Sequence, residues 1–253
     1  MRELISRHTD VDFLYLGDTA RTPYGNKSSE TIIRYALEDA DYLISRCAAH
    51  VIAACNTVSS VAMPKLRETF PDIVFFDVVT PAVHAAALLE TAHSKLNKRI
   101  GIIGTRATIE SHVYESELHK VSKQIDVISA SCPLFVPLVE EGWVKRPETK
   151  KIARYYLSGI RHAQVDALIL GCTHYPFLHD VISTSLQKRV KIIDSPSALI
   201  DQLEKEAPDI LKHGTGKQMY AFTDPSERVQ IIAERWLKRS VTIERAKLKT
   251  PAS

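Results

Sequence analysis

Two cysteines in this chain sit in matching surroundings. The apolar run Val51 to Ala54 leads into Cys55-Asn56-Thr57, and Leu168 to Leu170 leads through Gly171 into Cys172-Thr173-His174. A helical stretch follows each, Val58 to Leu66 after the first and Pro176 to Leu186 after the second. A thiol between a strand end and a helix start meets free N–H groups and the positive end of the helix dipole, which favour thiolate over thiol and can also hold a carboxylate. An ordinary thiol with pKa about 8.5 is only about 3% ionised at pH 7, and lowering its pKa to about 7 takes roughly 2 kcal/mol of differential stabilisation. A helix start plus one hydrogen bond can supply that. If two such thiols flank one ligand, a thiolate can take a proton from a carbon acid on one face while the opposite thiol delivers a proton to the other, inverting the centre.

Other readings stand beside this one. Cysteine is among the most buried residue types, so a single cysteine at a strand end more often packs than reacts. It is the matched pair that brings chemistry level with packing. Cys47, read as lying inside an amphipathic helix, and Cys132, which precedes Pro133, lack that context and are read as structural. Cys172 and His174 offer two metal ligands, but no second close pair completes a zinc site, so no metal is expected. A Cys172–His174 nucleophile pair is a further option that leaves Cys55 unexplained. By default Tyr24-Gly25 after Pro23 is a turn and Glu140-Glu141 a solvated pair. Without a C-x-x-C motif, and in a chain long enough to build a core, the four cysteines are expected to be reduced.

Opposed thiols need a scaffold that presents strand ends along one rim. Short apolar runs recur at Phe13 to Leu16, Val51 to Ala54, Ile73 to Val79, Ile100 to Ile103, Val127 to Ala130, Ala167 to Leu170 and Val190 to Ile193, as expected for strands of parallel sheets covered on both faces. Between them, Ile32, Ile33, Ala36, Ala40, Leu43 and Ile44 mark an amphipathic helix after a polar start at Ser28 to Glu30. The chain opens on a helix. Its last helix is expected to be capped by Asp224, with Pro225 in the first turn and Val229, Ile232, Trp236 and Leu237 on the inner face. The tail from Thr242 is expected to fray. This alternation predicts an α/β fold in which the polar stretch His93 to Arg99 carries the chain into a second domain. Ligands of such sheets bind beyond the strands' carboxyl ends, where Gly17-Asp18-Thr19, Cys55-Asn56-Thr57, Gly104-Thr105 and Gly171-Cys172-Thr173-His174 would converge.

Composition narrows the partners. The chain has 253 residues, 45% hydrophobic and 25% charged, with 33 basic against 30 acidic side chains and a formal charge of +3. Those are ordinary globular values, and the length suits one large or two small domains. No dense Lys/Arg block suggests a nucleic-acid surface, and no apolar run is long enough to cross a membrane. The first residues carry charges of both signs without the apolar stretch of a secretory signal, so a cytoplasmic protein acting on a small molecule is expected.

Longer motifs carry a resemblance. Gly17-Asp18-Thr19-Ala20-Arg21-Thr22-Pro23-Tyr24-Gly25-Asn26-Lys27-Ser28, Ala54-Cys55-Asn56-Thr57, Ile103-Gly104-Thr105-Arg106-Ala107-Thr108-Ile109, the stretch from Cys132 to Gly142, and Leu170-Gly171-Cys172-Thr173-His174-Tyr175-Pro176 together resemble bacterial glutamate racemases of the aspartate/glutamate racemase superfamily. Ile193-Asp194-Ser195 and Phe222-Thr223-Asp224-Pro225 fit the same pattern. The resemblance implies a cofactor-independent enzyme that interconverts L- and D-glutamate for peptidoglycan, with Cys55 and Cys172 as the two acid/base groups. It implies support of the thiols by His174 and Glu140, and substrate contacts from Tyr24, Gly25, Asn56, Thr57, Thr105, Thr108, Thr173 and His174. It also implies two pseudo-symmetric α/β domains with the ligand in the cleft between them, commonly as a homodimer. Residues 1–97 with 194–253 would form the first domain and 98–193 the second.

One departure stands at the start. Members of that family begin with a strand ending in Asp-Ser-Gly, which this sequence does not contain, and Arg2 to Arg7 resembles the tail of the helix that follows it. The expectation is therefore a native chain that begins upstream. Racemisation of aspartate or another amino acid by the same mechanism, and a non-catalytic homologue that only binds a ligand or partner, are the competing readings.

Overall fold

The computed structural model describes residues 1–90, 98–186, 190–212 and 214–248. The chain opens with α1 (Arg2–Arg7), β1 (Phe13–Gly17), α2 (Ser29–Ser45), β2 (His50–Ala53), α3 (Asn56–Val61), α4 (Met63–Thr69), β3 (Val74–Asp77) and α5 (Val79–Leu88). It continues through β4 (Arg99–Gly104), α6 (Arg106–Glu110), α7 (Val113–Val121), β5 (Asp126–Ser131), α8 (Phe135–Glu140), α9 (Pro147–Tyr156), α10 (Ser158–His162), β6 (Ala167–Gly171) and α11 (His179–Ser185). It closes with β7 (Lys191–Asp194), α12 (Ser195–Glu206), β8 (Gln218–Phe222), α13 (Glu227–Leu237) and β9 (Ile243–Arg245). Each of the seven expected strands is present, and the fold is α/β with helix-flanked parallel sheets.

Contacts divide the chain into two compact units, Met1–Ile52 with Ala62–Phe76 and Ile200–Ser253, and Ala53–Val61 with Asp77–Leu199. In the first, β1, β8 and β9 pair in that order, parallel throughout, and β2 pairs with β3. Helix α2 begins where the sequence places it: Ser28 caps it by accepting from the Thr31 N–H, and Ile32, Ala36 and Ala40 form its buried stripe. In the second unit, a parallel sheet of order β5-β4-β6-β7 runs through the core. Ile100, Ile102 and Ile103 of β4 and Ala167 to Leu170 of β6 are fully buried, which is why these strands read as unbroken apolar runs. Val79, Ala82, Val83 and Ala86 of α5 and Tyr114 and Leu118 of α7 join one cluster with Ile100, Ile102 and Ile169. Each large side chain buried this way contributes about 1.5–3 kcal/mol.

The compact units do not follow the expected boundary. Residues 91–97, which hold most of the expected crossing, lie outside the described residues, and α5 shares the hydrophobic cluster of β4 and β6. Its apolar face is satisfied there, so the chain joins the second unit by Asp77. The short piece Ala53–Val61 belongs to that unit too, because α3 packs on α5, α6 and α7. Cys55 and Cys172 both lie in that second unit.

Local differences have local causes. The helix expected over Val58 to Leu66 is two helices, since Pro64 sits in the first turn of α4 and has no N–H to continue the ladder from α3. The stretch Pro176 to Leu186 likewise divides into a short 3-10 turn, Tyr175–Leu178, and α11. The run Ile73 to Val79 stops as a strand at Asp77, whose carboxylate accepts from the Val79 and Thr80 N–H groups and starts α5. Cys47 lies beyond the end of α2, exposed and with φ of 67°, instead of inside the helix. The last helix is capped by Ser226, which accepts from the Val229 N–H, while Asp224 is tied by its backbone to the Thr19 hydroxyl. Its inner face is only half-buried. The tail does not fray at Thr242, because Ile243–Arg245 adds β9 alongside β8. Residues 249–253 lie outside the described residues.

Candidate active site

The second unit collects two thiols and a set of polar side chains around the ends of β4 and β6. Cys55 precedes α3, and its sulfur accepts from the Thr57 and Val58 N–H groups and from the Thr57 hydroxyl. Burial pushes its pKa up, and those hydrogen bonds pull the other way. The two sulfurs are near enough for the charge of Cys172 to raise the Cys55 pKa further. Both are free thiols.

Cys172 follows Gly171, the last residue of β6. A side chain at Gly171 would bring its Cβ to 2.8 Å from the Ile103 carbonyl oxygen and 3.2 Å from the Tyr114 ring, so this strand end is closed to anything larger than glycine. Two residues further on, Nδ1 of His174 lies 4.0 Å from the Cys172 sulfur, and Nε2 is 3.3 Å from Glu140 at the end of α8. Burial works against a charge on this ring, yet the sulfur and the carboxylate together raise its pKa from the ordinary 6.5 to about 9. At neutral pH the ring is an imidazolium that stabilises negative charge on the Cys172 sulfur. Thr173, half-buried, sits between them.

Three hydroxyls close a triangle nearby. Thr57 Oγ1 is 3.0 Å from Thr105 Oγ1 and 3.3 Å from Thr108 Oγ1, and the last two are 3.0 Å apart. Thr105 caps α6 by accepting from the Thr108 N–H, which fixes both side chains at the end of β4. Asn56, next to Cys55, donates from Nδ2 to the Tyr114 hydroxyl at 2.7 Å and to Ser195 Oγ at 3.0 Å. Its Oδ1 is buried and has no partner among the described residues. An acceptor left so costs about 1–3 kcal/mol in a folded chain, which marks it as ready for a donor from a bound molecule.

The residues expected at the site thus divide. Cys55, Asn56, Thr57, Thr105, Thr108, Glu140, Cys172, Thr173 and His174 all belong to the second unit, and Glu140 pairs with His174 instead of standing as half of a solvated pair. Tyr24 and Gly25 belong to the first unit, in a short 3-10 turn. There the Tyr24 hydroxyl lies between the Asp18 and Asp39 carboxylates with one proton for the two, so this side chain is already engaged, and its backbone carbonyl accepts from the Lys27 N–H. Arg21 binds Asp18, Glu38 and Asp39 together. Burial, then the neighbouring Asp18 charge, raises the Asp39 pKa to about 7 against the pull of Arg21. Cys132 is fully buried, as a packing cysteine should be. Tyr114 and the hydroxyl of Ser195 were not among the expected site residues. Ser195 follows directly on the end of β7, the same placement that singles out Cys55 and Thr105. Nothing in the sequence marks Tyr114.

Residues 3–203 match the family described as Asp/Glu/Hydantoin racemase. The chain is 43% identical over 247 residues to glutamate racemase from Persephonella marina, covering 98% of this chain and 92% of that one. It is similar in structure to glutamate racemase from Francisella tularensis in complex with D-glutamate, with a TM-score of 0.88 and 33% identity over 97% of this chain and 91% of the other. The glutamate racemase from Aquifex pyrophilus gives a TM-score of 0.81 at 37% identity, over 97% and 92% of the two chains. Identity at this level, sustained over nearly the whole length, makes the chain a member of the Asp/Glu/Hydantoin racemase family.

Proposed function

We propose that this protein interconverts L- and D-glutamate by a two-base mechanism, with Cys55 and Cys172 as the acid/base pair and no cofactor. The observation that carries the reading is the pair of free, electrostatically coupled thiols, each with its own donors: N–H groups and a hydroxyl at Cys55, and the His174 imidazolium at Cys172. One sulfur enters as thiolate and takes the α-proton, leaving a carbanion. The other, entering as thiol, gives its proton to the opposite face of that carbon. Each turnover ends with the two protonation states exchanged, so the enzyme leaves one enantiomer ready for the other. Glutamate as the substrate is supported by the relatives, which are named glutamate racemases.

Around the thiols, Asn56, Thr57, Thr105, Thr108, Thr173 and His174 supply polar contacts to the substrate. His174, held by Glu140, keeps a positive charge near Cys172. Among the described residues no helix is long and apolar enough to cross a membrane; we place the reaction in the cytoplasm as part of this proposal. The enzyme would there supply D-glutamate for peptidoglycan, as a homodimer. The test follows racemisation of each enantiomer by optical rotation for the unchanged protein, Cys55→Ala and Cys172→Ala. Loss of activity by at least about 10³-fold in both variants is expected if two positioned acid/base groups are required. A fully active single variant would overturn the assignment.

A further inference from the structure

The Asn56 amide can face its neighbours in two ways, and the surrounding hydrogen bonds select one. Ser195 Oγ donates its only proton to the Leu170 carbonyl at 3.0 Å, and a carbonyl can do nothing but accept. Ser195 is then left with lone pairs toward Asn56, so the group turned to it must be the Nδ2 donor, at 3.0 Å. Tyr114 could donate or accept on its own, but with Nδ2 fixed by Ser195 its oxygen receives the second amide proton at 2.7 Å. Asn56 and Tyr114 are 2% exposed and Ser195 is fully buried, so bulk solvent offers none of them a substitute partner. Both Nδ2 protons are used, and Oδ1 is left as a buried acceptor without a partner among the described residues.

We infer that Ser195 and Tyr114 are positioning residues that lock the Asn56 amide with its oxygen toward the ligand, making this subsite selective for a cationic nitrogen donor such as the ammonium group of an amino acid. The inference rests on the reading of the chain as an amino-acid racemase and adds what enforces recognition of the amino group. The chain of control runs from the Leu170 carbonyl, two residues before Cys172, through Ser195 to Asn56, the neighbour of Cys55. One hydrogen-bond path thereby ties the two thiol-bearing segments together. Without the serine hydroxyl the amide is free to turn, and an Nδ2 facing the ligand would repel an ammonium group.

Calorimetric titration with L-glutamate and with glutarate, the same dicarboxylate without the amino group, separates this role from general damage. Ser195→Ala is expected to weaken L-glutamate about tenfold, the scale of one oriented hydrogen bond to a charged group. Glutarate binding should stay within about twofold, because glutarate brings no donor for Oδ1 to accept. Tyr114→Phe, which keeps the ring that packs against Gly171, should show the same contrast at smaller size, and Ser195→Thr, which keeps the hydroxyl, should restore binding. In racemisation the Ser195→Ala defect should fall on KM more than on kcat. Equal weakening of both ligands, or no weakening of either, in Ser195→Ala and Tyr114→Phe overturns the inference while an active unchanged protein leaves the glutamate assignment standing. An unchanged protein that binds neither ligand overturns both.

Discussion

The sulfur of Cys172 lies 4.0 Å from Nδ1 of His174, whose other nitrogen is 3.3 Å from Glu140. Three residues from two separate segments form a line from carboxylate through imidazolium to thiol. Glu140 holds the ring's orientation and its charge, and the ring presents a donor to the sulfur. Among the described residues only one of the two thiols has such a partner, so the pair is chemically unlike despite the likeness of the two sequence contexts.

This line makes the pH dependence testable. The His174 charge is present below about 9 and lost as pH rises through that value, so activity that needs the imidazolium falls on the alkaline side. In Glu140→Gln one of the interactions raising the pKa is gone while burial still lowers it, and the alkaline limb of kcat/KM should move to lower pH by about one unit. A pH profile of the variant that superimposes on that of the unchanged protein would remove Glu140 from the account.

The acidic cluster of the first unit predicts a pH effect on stability. The Asp39 pKa in the fold, about 7, lies above its ordinary value of 3.8. Its contribution to stability is therefore full below the ordinary value and is lost as pH rises through about 7. Asp39→Asn cannot ionise and keeps one acceptor oxygen, which can serve Arg21 while its Nδ2 donates to the Tyr24 oxygen. Its stability relative to the unchanged protein should rise between pH 4 and pH 8 by a few kcal/mol, at about 1.4 kcal/mol per pKa unit. Urea unfolding at the two pH values measures this. A difference independent of pH would mean that Asp39 is ionised in the fold throughout.

Gly171 predicts a steric effect. Its Cβ position is 2.8 Å from a backbone oxygen of the neighbouring strand β4, which cannot move without breaking the sheet. Gly171→Ala should lower stability by about 1–3 kcal/mol, read as a lower urea midpoint, and displace Cys172 enough to reduce kcat. An unchanged midpoint would show that the strand end is looser than its contacts imply.

The sequence made the central strands legible because β6 and the part of β4 after Arg99 are buried on both faces and carry no polar residue that could mislead. The two strands of the C-terminal segment were hidden for the opposite reason. Gln218–Phe222 mixes polar and aromatic residues on a sheet with a half-buried face, and Ile243–Arg245 is three residues long with Glu244 and Arg245 within it. Its pairing with β8 is written in backbone hydrogen bonds, which side-chain patterns do not record. At the site, Cys55, Thr105 and Cys172 were legible from their placement after apolar runs. The partners of Asn56 were not, since Tyr114 and Ser195 lie 58 and 139 residues away from it and meet it only after the sheet has formed. The engagement of Tyr24 with Asp18 and Asp39 belongs to the same class, as Asp39 is not among the apolar positions that mark α2.

The most direct test of the two-thiol account is racemisation of L-glutamate in deuterium oxide, stopped at low conversion, with deuterium at Cα measured separately in the two enantiomers. Two bases on opposite faces predict product D-glutamate fully deuterated at Cα, while the recovered L-glutamate stays almost entirely protiated. Deuterium appearing equally in both enantiomers from the start would mean that a single base serves both faces, contradicting the assignment of Cys55 and Cys172 as an acid/base pair.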